Sequence, residues 1–317
     1  MFSASHDEYD QEQQSSLKKA RVLEYVTILY QASIIFLMFK VLGTSQAMKT
    51  AWIEDCLSLI PPVCFLVSSY VSAKNPTRNY PFGFHRIGSI LFLCAALSLL
   101  VVGGYLVFDS GMKLYERHHP TIGMKEFFGR DMWLGWWMMI VLLWGTFPPI
   151  LLGRLKMKHV KPLNDKILFT DAKMNKADWL TAVAAIGGIL GIGFGFWWAD
   201  AAAAIIISVD ILHDGWRQTN DAVTGLMNRA PKDVDNGYSD LPQKVEAALN
   251  AFEWIEKAEV KLYESGNLIF GQGCAYVKSD DAVSADKIRM ATKKALETDW
   301  RLQDFALTLC SKDRKDD

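Results

Sequence analysis

Several acidic side chains in this chain fall inside or against apolar runs long enough to cross a bilayer. Glu54 and Asp55 stand near the start of one run, 51–73. Asp178 stands at the mouth of another, where Trp179 to Ala199 gives 21 residues without a charge, and Asp210 and Asp214 bracket His213 in a third, 199–216. A charge at the centre of a membrane span costs roughly 2.5–3.5 kcal/mol on insertion scales, so such groups are expected to face protein, water or an ion rather than lipid. Their chemistry is that of holding a cation or passing a proton. Asp210, His213 and Asp214 sit at i, i+3 and i+4 on one helical face, a spacing that suits a metal or a proton relay as well as a plain solvated helix end. The sequence has neither an HExxH run nor a Ser/His/Asp spacing, so hydrolysis is not indicated.

The elements that must position these acids are membrane helices. At about 1.5 Å rise per residue, a charge-free run of this length crosses a hydrocarbon layer of about 30 Å. Val22 to Leu42 reads as the first span, with Gln31 inside it and Lys40 able to snorkel at its end. The second, 51–73, is expected to kink at Pro61-Pro62, which remove backbone donors. Ile87 to Phe108 is a charge-free third span, and Met132 to Gly153 a Trp-rich fourth, broken again at Pro148-Pro149. The Asp178 run is the fifth, and about Ala199 to Trp216 the sixth, with Asp200 at its outer end in a structural role. Glycines at 187, 188, 191, 193 and 195 strip the fifth span of bulk, so a neighbouring backbone can approach closely.

Lys and Arg number 3 in residues 1–21 ahead of the first span, 3 in 74–86 and 7 in 154–177, against 1 in 43–50 and 4 in 112–131. The positive-inside rule then puts both termini on the cytoplasmic side of a six-span protein in the cell inner (plasma) membrane. The first twenty residues are polar and mixed in charge, unlike a signal peptide, so the first span is expected to act as its own insertion signal.

Beyond Pro231 the pattern is that of a small soluble domain. Residues 232–317 carry 13 Lys and Arg against 17 Asp and Glu, net −4, which leaves +3 on 1–231. Apolar periodicity gives helix, strand, strand, helix, strand, and two helices over one face of a three-stranded sheet would bury what so short a domain can. The expected division is a tail 1–20, a six-span transmembrane domain 21–228 and a cytoplasmic α+β (αββαβ, ferredoxin-like) domain 232–317. The five cysteines show no CxxC spacing and read as reduced, with Cys274 and Cys310 packed in strands.

Six spans followed by an αββαβ domain resemble the cation diffusion facilitator family of divalent-metal/proton antiporters. Local sequence carries the likeness: Tyr80-Pro81-Phe82-Gly83-Phe84-His85-Arg86 between spans two and three, Trp198-Ala199-Asp200-Ala201 opening span six, and Leu226-Met227-Asn228-Arg229-Ala230-Pro231 at its exit. The resemblance implies a homodimer in a lipid bilayer, with divalent cation and protons as substrates, no cofactor and no nucleic-acid partner. It also implies a tetrahedral transport site with two ligands four residues apart on span two and two more on span five, drawn from Asp and His.

On that pattern Asp55 matches the first ligand and Asp178 the last, whereas Leu59 and Met174 stand at the partner positions. Further ligands would come from Glu54, Ser58, Met174, Asn175, water or backbone carbonyls freed by Pro61-Pro62. A shifted register would instead put the site at Ser58 and Pro62. A Met174 thioether would favour a softer transition metal, and the absence of histidine at all four positions disfavours zinc as the main substrate. The missing ligands also admit a degenerate, non-transporting member acting as a membrane partner or sensor. Arg86 occupies the basic position of the family's charge interlock, but Asn228 stands where the acid is usual. The C-terminal domain has no histidine for a metal-sensing site, and His118-His119 is a weak metal-capture pair at most.

Overall fold

The computed structural model describes residues 11–127, 130–177, 179–232, 237–278 and 283–310. It divides into two compact units, one formed by Ser15–Ser69 with Ile90–Val223, the other by Tyr70–Ser89 with the chain from Thr224 onward.

The first unit is helical: α1 (Gln11–Val41), α2 (Gln46–Leu57), α3 (Ile60–Val71), α4 (Ile87–Tyr115), α5 (Leu134–Leu163), α6 (Lys166–Ala177), α7 (Trp179–Gly193) and α8 (Ala199–Leu226). Among the described residues five stretches are long and apolar enough to cross a membrane: Gln14–Val41, Gln46–Val71, Ile87–Tyr115, Leu134–Val160 and Lys166–Gly193. The sixth, α8, has 28 residues but carries Asp200, Asp210, Asp214, Arg217 and Asp221, which lower its hydropathy. Leu29, Val101, Phe108 and Phe147 are 68–73% exposed on their helices, the outward apolar surface that only lipid covers. Inside, Ile34 and Met38 of α1, Met48 of α2, Met138 of α5, Ile189 of α7 and Ile207 of α8 share one core.

Span two is broken where its prolines predict. Ser45 caps α2 by accepting from the Met48 N–H at 3.1 Å, and Ser58 ends it. The chain restarts as α3 with Pro61 and Pro62 in the first turn, where a missing N–H is tolerated. The carbonyls of Leu57 and Ser58, four residues before the prolines, therefore have no helical donor.

Pro148-Pro149, expected to break span four, does not: α5 runs through both. The carbonyl freed by Pro148, that of Trp144, accepts instead from the Tyr30 hydroxyl of α1 at 2.6 Å. A donor from another span replaces the lost ladder bond. The stretch 154–177, read as a loop, is helical on both sides of Asn164, and α1 already begins within the supposed tail. Between α4 and α5 lies an antiparallel hairpin, β1 (Met124–Phe127) and β2 (Arg130–Trp133), which the apolar pattern did not signal.

The glycine expectation holds at two positions of α7. A Cβ at Gly188 would meet the Cβ of Ala203 at 2.9 Å, and one at Gly191 would overlap the Cβ of Ala199, so α8 lies directly on α7. A second close crossing, unforeseen, joins α4 to α8: a Cβ at Gly215 would meet the Leu100 backbone at 2.6 Å.

The second unit contains α9 (Leu241–Asn250), β3 (Ile255–Ser265), β4 (Leu268–Val277), α10 (Ala285–Leu296) and β5 (Leu302–Cys310), the order read from the sequence. The sheet order is β3-β4-β5, with β3 antiparallel and β5 parallel to β4. Val245 and Leu249 of α9 and Ala291 and Ala295 of α10 bury against Ala258, Ala275 and Phe305 of the strands. The turn between β3 and β4 needs Gly266, which has φ +68° and approaches the His85 carbonyl so closely that no Cβ fits. Cys274 and Cys310, expected to be reduced, are bonded to each other. Their strands are neighbours and their Cα atoms are 5.8 Å apart, inside the range a disulfide spans.

Candidate cation site

A cavity of about 30 Å³ opens among α1, α2, α5 and α7, room for about two waters or one stripped ion. Its walls are Met38, Ala51, Glu54, Asp55, Ser58, Leu142, Gly145, Thr146, Thr181 and Ala182. Glu54, Asp55 and Ser58 come from the last turn of α2 and its cap, so the proline break ends the helix at the cavity.

Each polar group here is already oriented. Gln31 of α1 donates through Nε2 to Asp55 Oδ1 at 2.7 Å and more weakly to the Asp55 carbonyl at 3.4 Å. Thr181 of α7 donates to Glu54 Oε1 at 3.0 Å. Ser58 Oγ donates to the Glu54 carbonyl at 3.1 Å, and Thr146 Oγ1 to the Leu142 carbonyl at 2.8 Å. All three hydroxyl hydrogens are thus committed to carbonyl or carboxylate acceptors. What Ser58, Thr146 and Thr181 retain for the cavity is lone pairs, and the two carboxylates, when ionised, also only accept. Gly145 adds a further acceptor-rich wall, because the residue four on is Pro149, which has no N–H to give its carbonyl.

Of the residues singled out from sequence, the structure brings Glu54, Asp55 and Ser58 together in this cavity. Asp178 lies outside the described residues. Met174 packs against the core and its sulfur accepts from Gln218 Nε2 at 3.7 Å; it is not among the cavity's lining residues. Asn175 is buried and donates to Asp171 Oδ2 at 3.2 Å, also away from the lining. Asp210, His213 and Asp214 share one face of α8, but among the described residues no group of three or more His, Cys, Asp or Glu side chains is placed to hold a metal ion. Asp200 is fully buried and structural in effect: it accepts from Ser45 Oγ at 2.6 Å and from the N–H groups of Gln46 and Ala47 at 2.6 and 3.1 Å, capping α2.

Arg86 does meet Asn228, donating to its Oδ1 at 2.7 Å, and also reaches Ser265 Oγ at 3.2 Å. An amide oxygen replaces the acid. Exposed His119 stacks on Trp197 at 5.3 Å between ring centroids. The sequence reading missed Gln31, Thr146 and Thr181 as site residues. Gln31 was visible as a polar residue inside a span, but single hydroxyls in apolar helices carry no spacing signal.

The model of the cation efflux transmembrane domain matches residues 25–227. The manganese efflux system protein of Bacillus subtilis is 24% identical over 184 residues, 58% of this chain and 59% of that protein. A cadmium, cobalt and zinc/H(+)-K(+) antiporter of Bacillus velezensis is 23% identical over 184 residues, 58% of this chain and 54% of that protein. A probable proton-coupled zinc antiporter of Bos taurus is 26% identical over 147 residues, 45% of this chain and 32% of that protein. The chain thus spans less than two thirds of the length of each of these relatives.

Proposed function

From the premise that the chain belongs to the cation efflux, or cation diffusion facilitator, family, we propose that it is a secondary transporter moving a divalent metal cation out of the cytoplasm in exchange for protons. It works as a homodimer in the plasma membrane with both termini inside. The observation that carries this reading is a cavity between spans whose polar groups are arranged to accept and not to donate. A neutral metabolite would need donors as well. A cation needs acceptors.

Asp55 is the primary ligand, held by Gln31. Glu54 and the Ser58, Thr146 and Thr181 oxygens complete the set, and Asp178, the last ligand of the family pattern, supplies the second carboxylate. Oxygen donors favour a harder ion. We therefore assign manganese-like cations as substrate in preference to zinc or cadmium, with Met38 as the one thioether in the cavity wall. The B. subtilis relative is named as a manganese efflux protein, which supports the same class. Release of the ion is driven by protons taking its place on the carboxylates.

The test is metal analysis of the purified protein after incubation with Mn2+ or Zn2+, beside cation flux into proteoliposomes. The expected result is Mn2+ retention and flux in the wild type, both lost in Asp55→Asn. Wild-type protein that binds Mn2+ without moving it would favour a sensor or partner role, and protein that binds neither ion would remove the assignment.

A further inference from the structure

A second group of charges, separate from the cavity, is buried among α1, α5 and α6. Lys156 is 0% exposed. Its ammonium donates to Glu24 Oε2 at 2.8 Å and makes a very short contact with Asp171 Oδ2, to which Asn175 also donates. Glu24 is 0% and Asp171 2% exposed, so water neutralises none of these charges.

With every group ionised, two carboxylates and one ammonium leave a net −1 in a site shielded from solvent inside a bundle of membrane-length helices. An uncompensated buried charge is strongly destabilising. Two further observations say what compensates it. Glu24 Oε1 is buried and meets no hydrogen-bond donor among the described residues. Both carboxyl groups also converge on the one ammonium, whose single charge balances only one of them. Among the described residues, the ion pairs of Lys156 are with Glu24 and Asp171. The neighbouring charges point elsewhere: Arg21 of α1 binds Ser69 at 3.0 Å, and His159 of α5 stands near Lys19 and Lys158.

We propose that Glu24, Lys156 and Asp171 form a proton-binding site, distinct from the cation cavity, in which one proton on the carboxyl pair makes the cluster neutral. Asn175 fixes Asp171 as the inner wall of the site and is a positioning residue here, not a metal ligand. If the chain exchanges cations for protons, this is a resting place for the exchanged proton; that second step rests on the transport reading above, whereas the site itself does not. The ion-pair network spans three helices, so loss or gain of its proton changes how α1, α5 and α6 are held together.

The site is tested by infrared spectroscopy of the purified chain in lipid, following the carbonyl stretch of protonated carboxyl groups from about pH 5 to 8. The wild type should keep such a band at neutral pH, lost in Glu24→Gln and in Asp171→Asn and retained in Asp55→Asn. A wild type without the band overturns the proposal whatever the variants do, and so does a band that survives both Glu24→Gln and Asp171→Asn. Mn2+ retention in the cavity, expected to be unchanged in Glu24→Gln, checks that this variant is folded. In proteoliposomes Glu24→Gln should lose the dependence of cation flux on the pH gradient. If the wild type carries no cation at all, the transport reading fails and the infrared result still decides the proton site; if flux in Glu24→Gln keeps its gradient dependence, the exchanged proton rests elsewhere.

Discussion

Asp55 owes its orientation to one neighbour. Gln31 donates to its carboxylate and, more weakly, to its carbonyl, which sets the direction in which the acid faces. Removing a group that orients a metal ligand typically weakens binding about 10–100-fold; Gln31→Leu is expected to do so, read by calorimetric titration with Mn2+. Thr181 has the same relation to Glu54. Thr181→Val should weaken binding while Thr181→Ser, which keeps the hydroxyl, restores it; equal affinity in both variants would remove Thr181 from the site. Asp55 and Glu54 were legible because a charge in an apolar run has to be explained. Thr146 and Thr181 were not, since a hydroxyl can satisfy itself on its own helix and leaves no trace in hydropathy. Asn175, a candidate by its spacing from position 178, gives its amide to the buried Asp171 one turn earlier, a partner that spacing does not announce.

The two proline pairs show how far local chemistry decides an element. Pro61-Pro62 fall just after a cap and break the helix, while Pro148-Pro149 sit in mid-helix and leave it whole because Tyr30 supplies a donor from α1. No reading of residues 134–163 alone contains that hydroxyl. Pro62→Ala would return an N–H to the Ser58 carbonyl at the cavity wall. The expected result is a stability change of under about 1 kcal/mol, as for proline replacements at compatible sites, together with weaker cation binding. At the α4–α8 crossing the opposite balance holds. Gly215→Ala forces a Cβ onto the Leu100 backbone and should lower stability by about 1–3 kcal/mol, the usual range for overpacking, measured by thermal unfolding in detergent. The helix boundaries around 154–177 were blurred because Lys156 and Asp171 read as loop charges, and only their pairing with Glu24 lets them lie inside helices.

For the whole molecule, the αββαβ order was legible from alternation and periodicity, but strand partnership was not. The parallel pairing of β4 with β5 passes through α10, so nothing in the spacing of Cys274 and Cys310 announces that they meet. The second unit has a small core, and such a domain gains stability by association. The chain is expected to be a dimer by mass measurement at micromolar concentration in mild detergent, and a monomer there would count against the proposed assembly. The break at Ser58 also has a mechanical meaning. Asp200 clamps the start of α2 to α8, whereas α3 is tied at its far end to α1 by Arg21, which donates to the Ser69 carbonyl at 2.7 Å. The two halves of span two are thus a fixed arm and a lever, with the cation cavity at the fulcrum. The lever has 12 residues, about 18 Å at helical rise, so a tilt of about 10° at the fulcrum swings its tip by about 3 Å and draws α1 along with it.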